Sequence, residues 1–176
     1  MVTEYFDQVD QNDLVIGRVS RDEAHKKGLC HRAVHIFFQN LKGNWILQKR
    51  SAFKDVDPLL WTTSCSGHVD EGESYAEAAV RESEEELGVN ISSNDLIEIF
   101  RCNPCDCTGM EFVRVYLSKR KFEHFYPNQK EIEEIKSFEF EQMVQKSFSE
   151  KALFSCSFLH ILPFVALKMI YSKNDS

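Results

Sequence analysis

The chain has 176 residues, 43% of them hydrophobic and 28% charged, with a net charge of −7 from 28 acids and 21 bases. That length suffices for one domain with a buried core, and the acidic balance argues against duplex nucleic acid as a partner, which would need a basic field. No basic start followed by an apolar run opens the chain, and the most apolar stretch, 158–170, falls short of the ~20 residues of a membrane span. A cytoplasmic protein with no membrane partner is therefore expected, with 158–170 as a core helix or a homodimer-interface helix.

Taken in chain order, residues 14–20 (LVIGRVS) read as a first short strand. Residues 32–39 (RAVHIFFQ) and 45–49 (WILQK) form a hairpin around the bend at Gly43. A polar loop over 51–58 leads into an extended segment, 60–66, and 74–87 is helical. Further strands are expected at 96–101, 112–118 and, after a polar loop at 123–134, at 135–140, before C-terminal helices. Strands on both sides of a central helix predict an α/β fold, a mixed sheet with helices on both faces. No linker or repeat divides the chain, so 1–176 is read as a single domain.

Cys30, Cys65, Cys102, Cys105, Cys107 and Cys156 are expected as free thiols, since no export signal accompanies them. Cys102, Cys105 and Cys107 form Cys-x2-Cys-x-Cys, which could bind zinc with a fourth ligand from elsewhere. No second Cys-x2-Cys exists, and unliganded loop thiols are the reading adopted.

The chemistry concentrates in GHVDEGESYAEAAVRESEEELGV, residues 67–89, where eight acids face one base. The segment sums to −7, and the remaining 20 acids and 20 bases cancel. On a helix, Ala76, Ala79, Val80, Ser83 and Leu87 make one apolar face. Glu82, Glu85 and Glu86 stand at i, i+3 and i+4 and converge on another. Like charges so placed repel, and hard carboxylate oxygens suit Mg²⁺ or Mn²⁺.

The same run resembles the Nudix box, Gly-x5-Glu-x7-Arg-Glu-U-x-Glu-Glu-x-Gly-U with U apolar, departing only at Ser83. The resemblance implies a Nudix α/β/α sandwich with a catalytic loop–helix–loop, and metal-dependent hydrolysis of a diphosphate bond in a small organic substrate. It implies metal ligation by Glu85, Glu86 and the Gly67 carbonyl. Glu82 would serve as ligand or general base, Arg81 would orient the carboxylates, and Glu73 would be a structural acid beside it.

Upstream, KGLCHRAVHIF, LQKRS and PLLWTTSCSGH resemble the isopentenyl-diphosphate isomerase branch of the same fold. That branch uses a cysteine two residues before a histidine. Here Ser66 holds the position and Cys65 precedes it, which on a strand points the thiol to the opposite face. The complete box and this shift favour a hydrolase, with an isomerase or a non-catalytic ligand-binding module as alternatives.

The same resemblance makes His31, His68 and Glu111 candidates for an additional metal site, or for supporting polar residues, with His25 close to another such position. Arg50 and Lys54 match cations that grip a diphosphate, and Lys49 adjoins them. Glu111, and more weakly Glu131 and Glu134, are candidates for a ligand or base outside the box. Phe53 and Trp61 could stack on a base or pack in the core.

Overall fold

The computed structural model describes residues 3–174. An antiparallel ribbon of β1 (Tyr5–Val9) and β2 (Val15–Ser20) leads into α1 (Arg21–Lys27). The main sheet follows, with β3 (His31–Asn40), β4 (Trp45–Arg50), β5 (Trp61–Thr62) and β6 (Cys65–His68). After the central helix α2 (Tyr75–Leu87) come β7 (Leu96–Cys102), β8 (Glu111–Phe122) and β9 (Ile132–Phe138). Two helices, α3 (Phe140–Ser149) and α4 (Cys156–Asn174), close the described chain.

The seven strands form one mixed sheet in the order β5-β4-β3-β8-β7, with β6 also paired to β3 and β9 to β4. Only β3 and β8 run parallel, His31 opposite Glu111 and Ile36 opposite Tyr116. The alternation of β3 sorts the core. Val34, Ile36 and Phe38 pack under α2, while Ala33 and Phe37 pack with Phe158, Ile161 and Val165 of α4. The expected α/β/α sandwich is what forms.

Several local expectations are corrected. Tyr5–Val9 and Arg21–Lys27 add a strand and a helix that no expectation from the sequence covers, yet the helix carries full end signals. Ser20 caps its N-terminus by accepting from Glu23 N, Asp22 and Glu23 fill its first turn, and Gly28 ends it at φ 62°. Seven residues simply carry too little apolar periodicity to stand out. The extended segment 60–66 is broken into two strands at Thr63 and Ser64. The last strand begins earlier than expected and ends at Phe138, so Phe140 starts a helix.

The polar loop, 123–131 once β9 begins at Ile132, docks on the end of α2, donating from Tyr126 N to Leu87 O and from Asn128 N to Glu86 O, both at 2.8 Å. These bonds satisfy carbonyls that a helix end leaves free. Ser83, the one departure within the box, is fully buried and donates to the Ala79 carbonyl at 2.6 Å, so its hydroxyl is satisfied inside the helix.

The free-thiol expectation fails for one pair. Cys107, in the loop before β8, and Cys156, at the start of α4, form a disulfide with Cα atoms 5.1 Å apart. Cys30, Cys65, Cys102 and Cys105 are free. In α4, Phe158, Ile161, Leu162 and Val165 are buried, whereas Phe164, Leu167 and Ile170 are exposed. Among the described residues no helix is long and apolar enough to cross a membrane.

Candidate active site

Helix α2 is fixed at both ends. Ser74 and Glu77 form a reciprocal capping box, and Gly88 terminates the helix in the left-handed region at φ 62°. Between these ends Arg81 collects the acids around it. Its Nε and Nη2 donate to the two oxygens of Glu73 at 3.0 and 2.9 Å. Nη1 reaches Glu82 at 2.7 Å and Glu85 at 3.1 Å, and Nη2 also holds the His68 carbonyl at 3.0 Å. This guanidinium ties the loop before the helix to the carboxylates on it, a task that a point-charged lysine could not match.

Glu82 lies against Gly67. A Cβ on residue 67 would collide with the Glu82 carboxyl carbon and come within 2.6 Å of Oε2. The glycine is thus required by close approach, not by its own backbone angle. Burial, and then the charge of Glu86, push the Glu82 carboxyl up to about 8, against the opposing pull of Arg81. Glu86 is 3% exposed. Its Oε2 accepts from Gln48 Nε2 at 2.9 Å and from Ser66 N at 3.1 Å. Burial raises this carboxyl too, with the Lys54 charge and these donors opposing. Glu85 is the exposed member of the three.

All three carboxylates line one cleft of about 1220 Å³, together with Gly67, Arg50, Lys54 and Glu131. Lys54 pairs with Glu131, while Arg50 Nε donates to Val56 O at 2.9 Å and so braces the loop after β4. Lys49 and Glu134 do not line the cleft; strand alternation turns them away from Gln48 and Arg50, and they face each other in register across β4 and β9. Lys49 as a cleft cation is therefore corrected. Phe53, 90% exposed, stands at the cleft, whereas Trp61 packs edge-on against Phe138.

A second group gathers His25 of α1, His31 of β3, His68 of β6 and Glu111 of β8, whose ligand atoms all lie within 4.8 Å of one another. His31 is fully buried, and its Nδ1 sits 2.8 Å from the Leu29 carbonyl. A carbonyl only accepts, so Nδ1 bears the proton and Nε2 offers a lone pair. The Nε2 atoms of His25 and His31 are buried with no hydrogen-bond partner among the described residues. Two orphaned nitrogens beside a carboxylate are what a cation would satisfy.

Glu111 Oε1 is 3.1 Å from His68 Nε2 and 3.6 Å from His31 Nε2. Burial alone would raise its carboxyl, but the adjoining His31 and His68 imidazoles hold it well below the usual range. Burial and the neighbouring His68 and His31 rings lower His25. Phe6 stacks on His31 and His68 at 5.2 and 4.5 Å and closes the group from the ribbon side. His25 and Phe6 both sit on elements the sequence reading missed.

Two further residues around the carboxylates and the cleft escaped it. Gln48 is 1% exposed and serves Glu86. His35 lines the cleft with Nδ1 2.8 Å from Thr63 Oγ1, which itself donates to the Cys65 carbonyl at 3.1 Å. That chain makes Nδ1 of His35 the donor, and burial lowers the imidazole to about 4. A lone polar residue in an apolar strand gave no usable signal for either.

The position beside the box also resolves. Ser66 lines the cleft, whereas Cys65 is fully buried in the core beneath α2, where burial and the charges of Glu86 and Glu82 push its thiol up.

The NUDIX domain model matches residues 30–155. The chain belongs to the Nudix hydrolase family, whose members generally use divalent metal ions. It is 36% identical over 124 residues to an uncharacterized Nudix hydrolase of Nostoc sp., covering 70% of this chain and 73% of that one. It is also 46% identical over 80 residues to an isopentenyl-diphosphate Delta-isomerase of Photorhabdus laumondii, covering 46% of this chain and 45% of the relative. Among solved structures, the DR0079 protein of Deinococcus radiodurans superposes with a TM-score of 0.77 over 91% of this chain and 98% of its own, at 24% identity. That likeness concerns the fold alone.

Proposed function

We propose that this chain is a divalent-metal-dependent pyrophosphohydrolase acting on a small organic diphosphate. The observation that carries the reading is the convergence of Glu82, Glu85, Glu86 and Gly67 in one cleft that Arg50 and Lys54 also line. Clustered carboxylates opposite cations make physical sense when metal and phosphate lie between them. The donor set, all hard oxygen, fits Mg²⁺ or Mn²⁺.

Glu85, Glu86 and the Gly67 carbonyl would hold the ion. When bound, such an ion neutralises phosphate oxygens and acidifies the attacking water. The chain supplies the rest. Arg50 and Lys54 grip the diphosphate and hold it against the acidic wall. Glu82, buried and close to Glu86, accepts the proton from the attacking water. Arg81 keeps Glu82 and Glu85 aimed, and Gln48 with Ser66 N fixes the Glu86 oxygen. Phe53 offers an exposed ring at the cleft for a flat substrate moiety.

His25, His31, His68 and Glu111 are proposed as a second metal site in the same fold. The two orphaned imidazole nitrogens and the Leu29-fixed tautomer of His31 support it. Both the burial of Cys65 and the serine facing the cleft count against isomerase chemistry. Phosphate release from a panel of diphosphates with Mg²⁺ or Mn²⁺, isopentenyl diphosphate included, tests the reading. Turnover that vanishes on chelation and in Glu86→Gln supports it; metal binding without turnover of any compound would sink it.

A further inference from the structure

We propose that Cys105, Cys107, Cys156 and His160 form a zinc site of the Cys₃His type, available when the Cys107–Cys156 disulfide is reduced. Two adjacent rungs link the same two segments. Cys107 is joined to Cys156, and Cys105 Sγ lies 3.9 Å from His160 Nε2. One residue separates Cys105 from Cys107, and Cys156 and His160 stand one turn apart on α4, so each pair bridges the same turn and the same helix.

The pattern is Cys-x-Cys on a loop against Cys-x3-His on a helix, with ligand types and a total of four that match closed structural zinc sites. With Zn–S about 2.3 Å and Zn–N about 2.0 Å, a tetrahedral edge between sulfur and nitrogen spans about 3.5 Å. The Cys105–His160 separation is already close to that length. Two of the four ligands thus come from α4, Cys156 and His160, beside two of the three cysteines of Cys-x2-Cys-x-Cys. Cys102 drops out, because it is buried in the core cluster below the loop.

Conversion needs a dithiol reductant. The dithiol gives up two electrons and two protons and closes to its own disulfide, while Cys107 and Cys156 become thiols. Zinc binding then releases the three thiol protons to solvent. The site matters for the cleft because Cys107 and Cys156 both line its wall, and the loop they anchor leads directly into Glu111. Zinc or disulfide would pin the same wall, and only reduction without metal frees it.

Cobalt substitution tests this separately from the carboxylate and histidine sites, since only thiolates give a sulfur-to-cobalt charge-transfer band. The reduced full chain, titrated with Co²⁺, is expected to show that band together with tetrahedral d–d absorption, and added Zn²⁺ is expected to erase both. Cys156→Ser should weaken cobalt binding at least tenfold. His160→Cys, which keeps four ligands, should retain the site with a stronger charge-transfer band, and this guards against a variant that merely misfolds. A reduced native chain without the band, or a band undiminished in Cys156→Ser, overturns the proposal and leaves Cys107–Cys156 a plain disulfide.

Discussion

The carboxylate of Glu82 rests on the bare α-carbon of Gly67, so closely that no side chain fits between them. The strand that carries Gly67 and the helix that carries Glu82 are held at this distance by Arg81, which donates to Glu82 and to the His68 carbonyl at once. Gly67→Ala is therefore expected to displace Glu82 while leaving the sheet paired. Displacements of about 1 Å at a reacting centre cost on the order of 10²-fold in rate. Steady-state phosphate release, set beside a circular dichroism melt, checks this: a variant with native activity would show that Glu82 has room to move.

Arg81→Lys keeps the charge and loses the fork. Glu73 is then held through one bond instead of two, and the links to Glu82, Glu85 and His68 O cannot all be made by one ammonium. Activity is expected to fall by at least about tenfold, chiefly in kcat, since substrate-gripping Arg50 and Lys54 are untouched. An unchanged kcat with a raised KM would contradict the orienting role.

Gln48→Leu removes one of two donors to Glu86 Oε2 and conserves volume. Loss of such supporting hydrogen bonds typically weakens metal affinity about 10–100-fold. Mn²⁺ titration followed by electron paramagnetic resonance measures it, and an affinity within twofold of native would rule the support out.

The metal-free protein is expected to lose stability as pH rises. Glu82 is raised to about 8 in the fold, above its ordinary value of 4.5, so the folded state holds a proton that the unfolded chain has released. Its contribution is full below 4.5 and is lost as pH climbs through about 8. A melting temperature that falls by on the order of 5 °C between pH 5 and 8, and recovers with Mg²⁺ at pH 8, is the expected pattern. A flat profile without metal would contradict it.

His25→Gln is expected to lower the metal content of the protein by one ion, leaving the box site loaded. Elemental analysis after equilibration with Mn²⁺ and desalting reads the difference. The same substitution should leave Glu86-dependent Mn²⁺ binding intact; loss of both ions together would mean that the two groups are one site.

The box, its helix and the face shared by Glu82, Glu85 and Glu86 were legible in the sequence because they depend on local spacing. Thirteen residues of helix carry their own caps and periodicity, and the carboxylates converge whatever the rest of the chain does. The one-residue offset of Cys65 from Ser66 was legible for the same reason, since strand alternation is local too. The mixed sheet followed from the order of apolar runs.

What tertiary structure alone decided are the meetings between elements distant in the chain. The Phe6 ring and His25 reach His31 and His68 because the β1–β2 ribbon and α1 fold back over β3, and elements so short carry no strong periodic signal. Gln48 meets Glu86 across 38 residues, and Cys107 meets Cys156 across 49. Lys49 shows the converse: adjacent in sequence to Arg50, it belongs to the other face of the sheet. Residues a few positions apart are related by backbone geometry, which the sequence determines by itself. Residues far apart are related by how the sheet and helices pack, and that depends on the whole apolar surface being buried together.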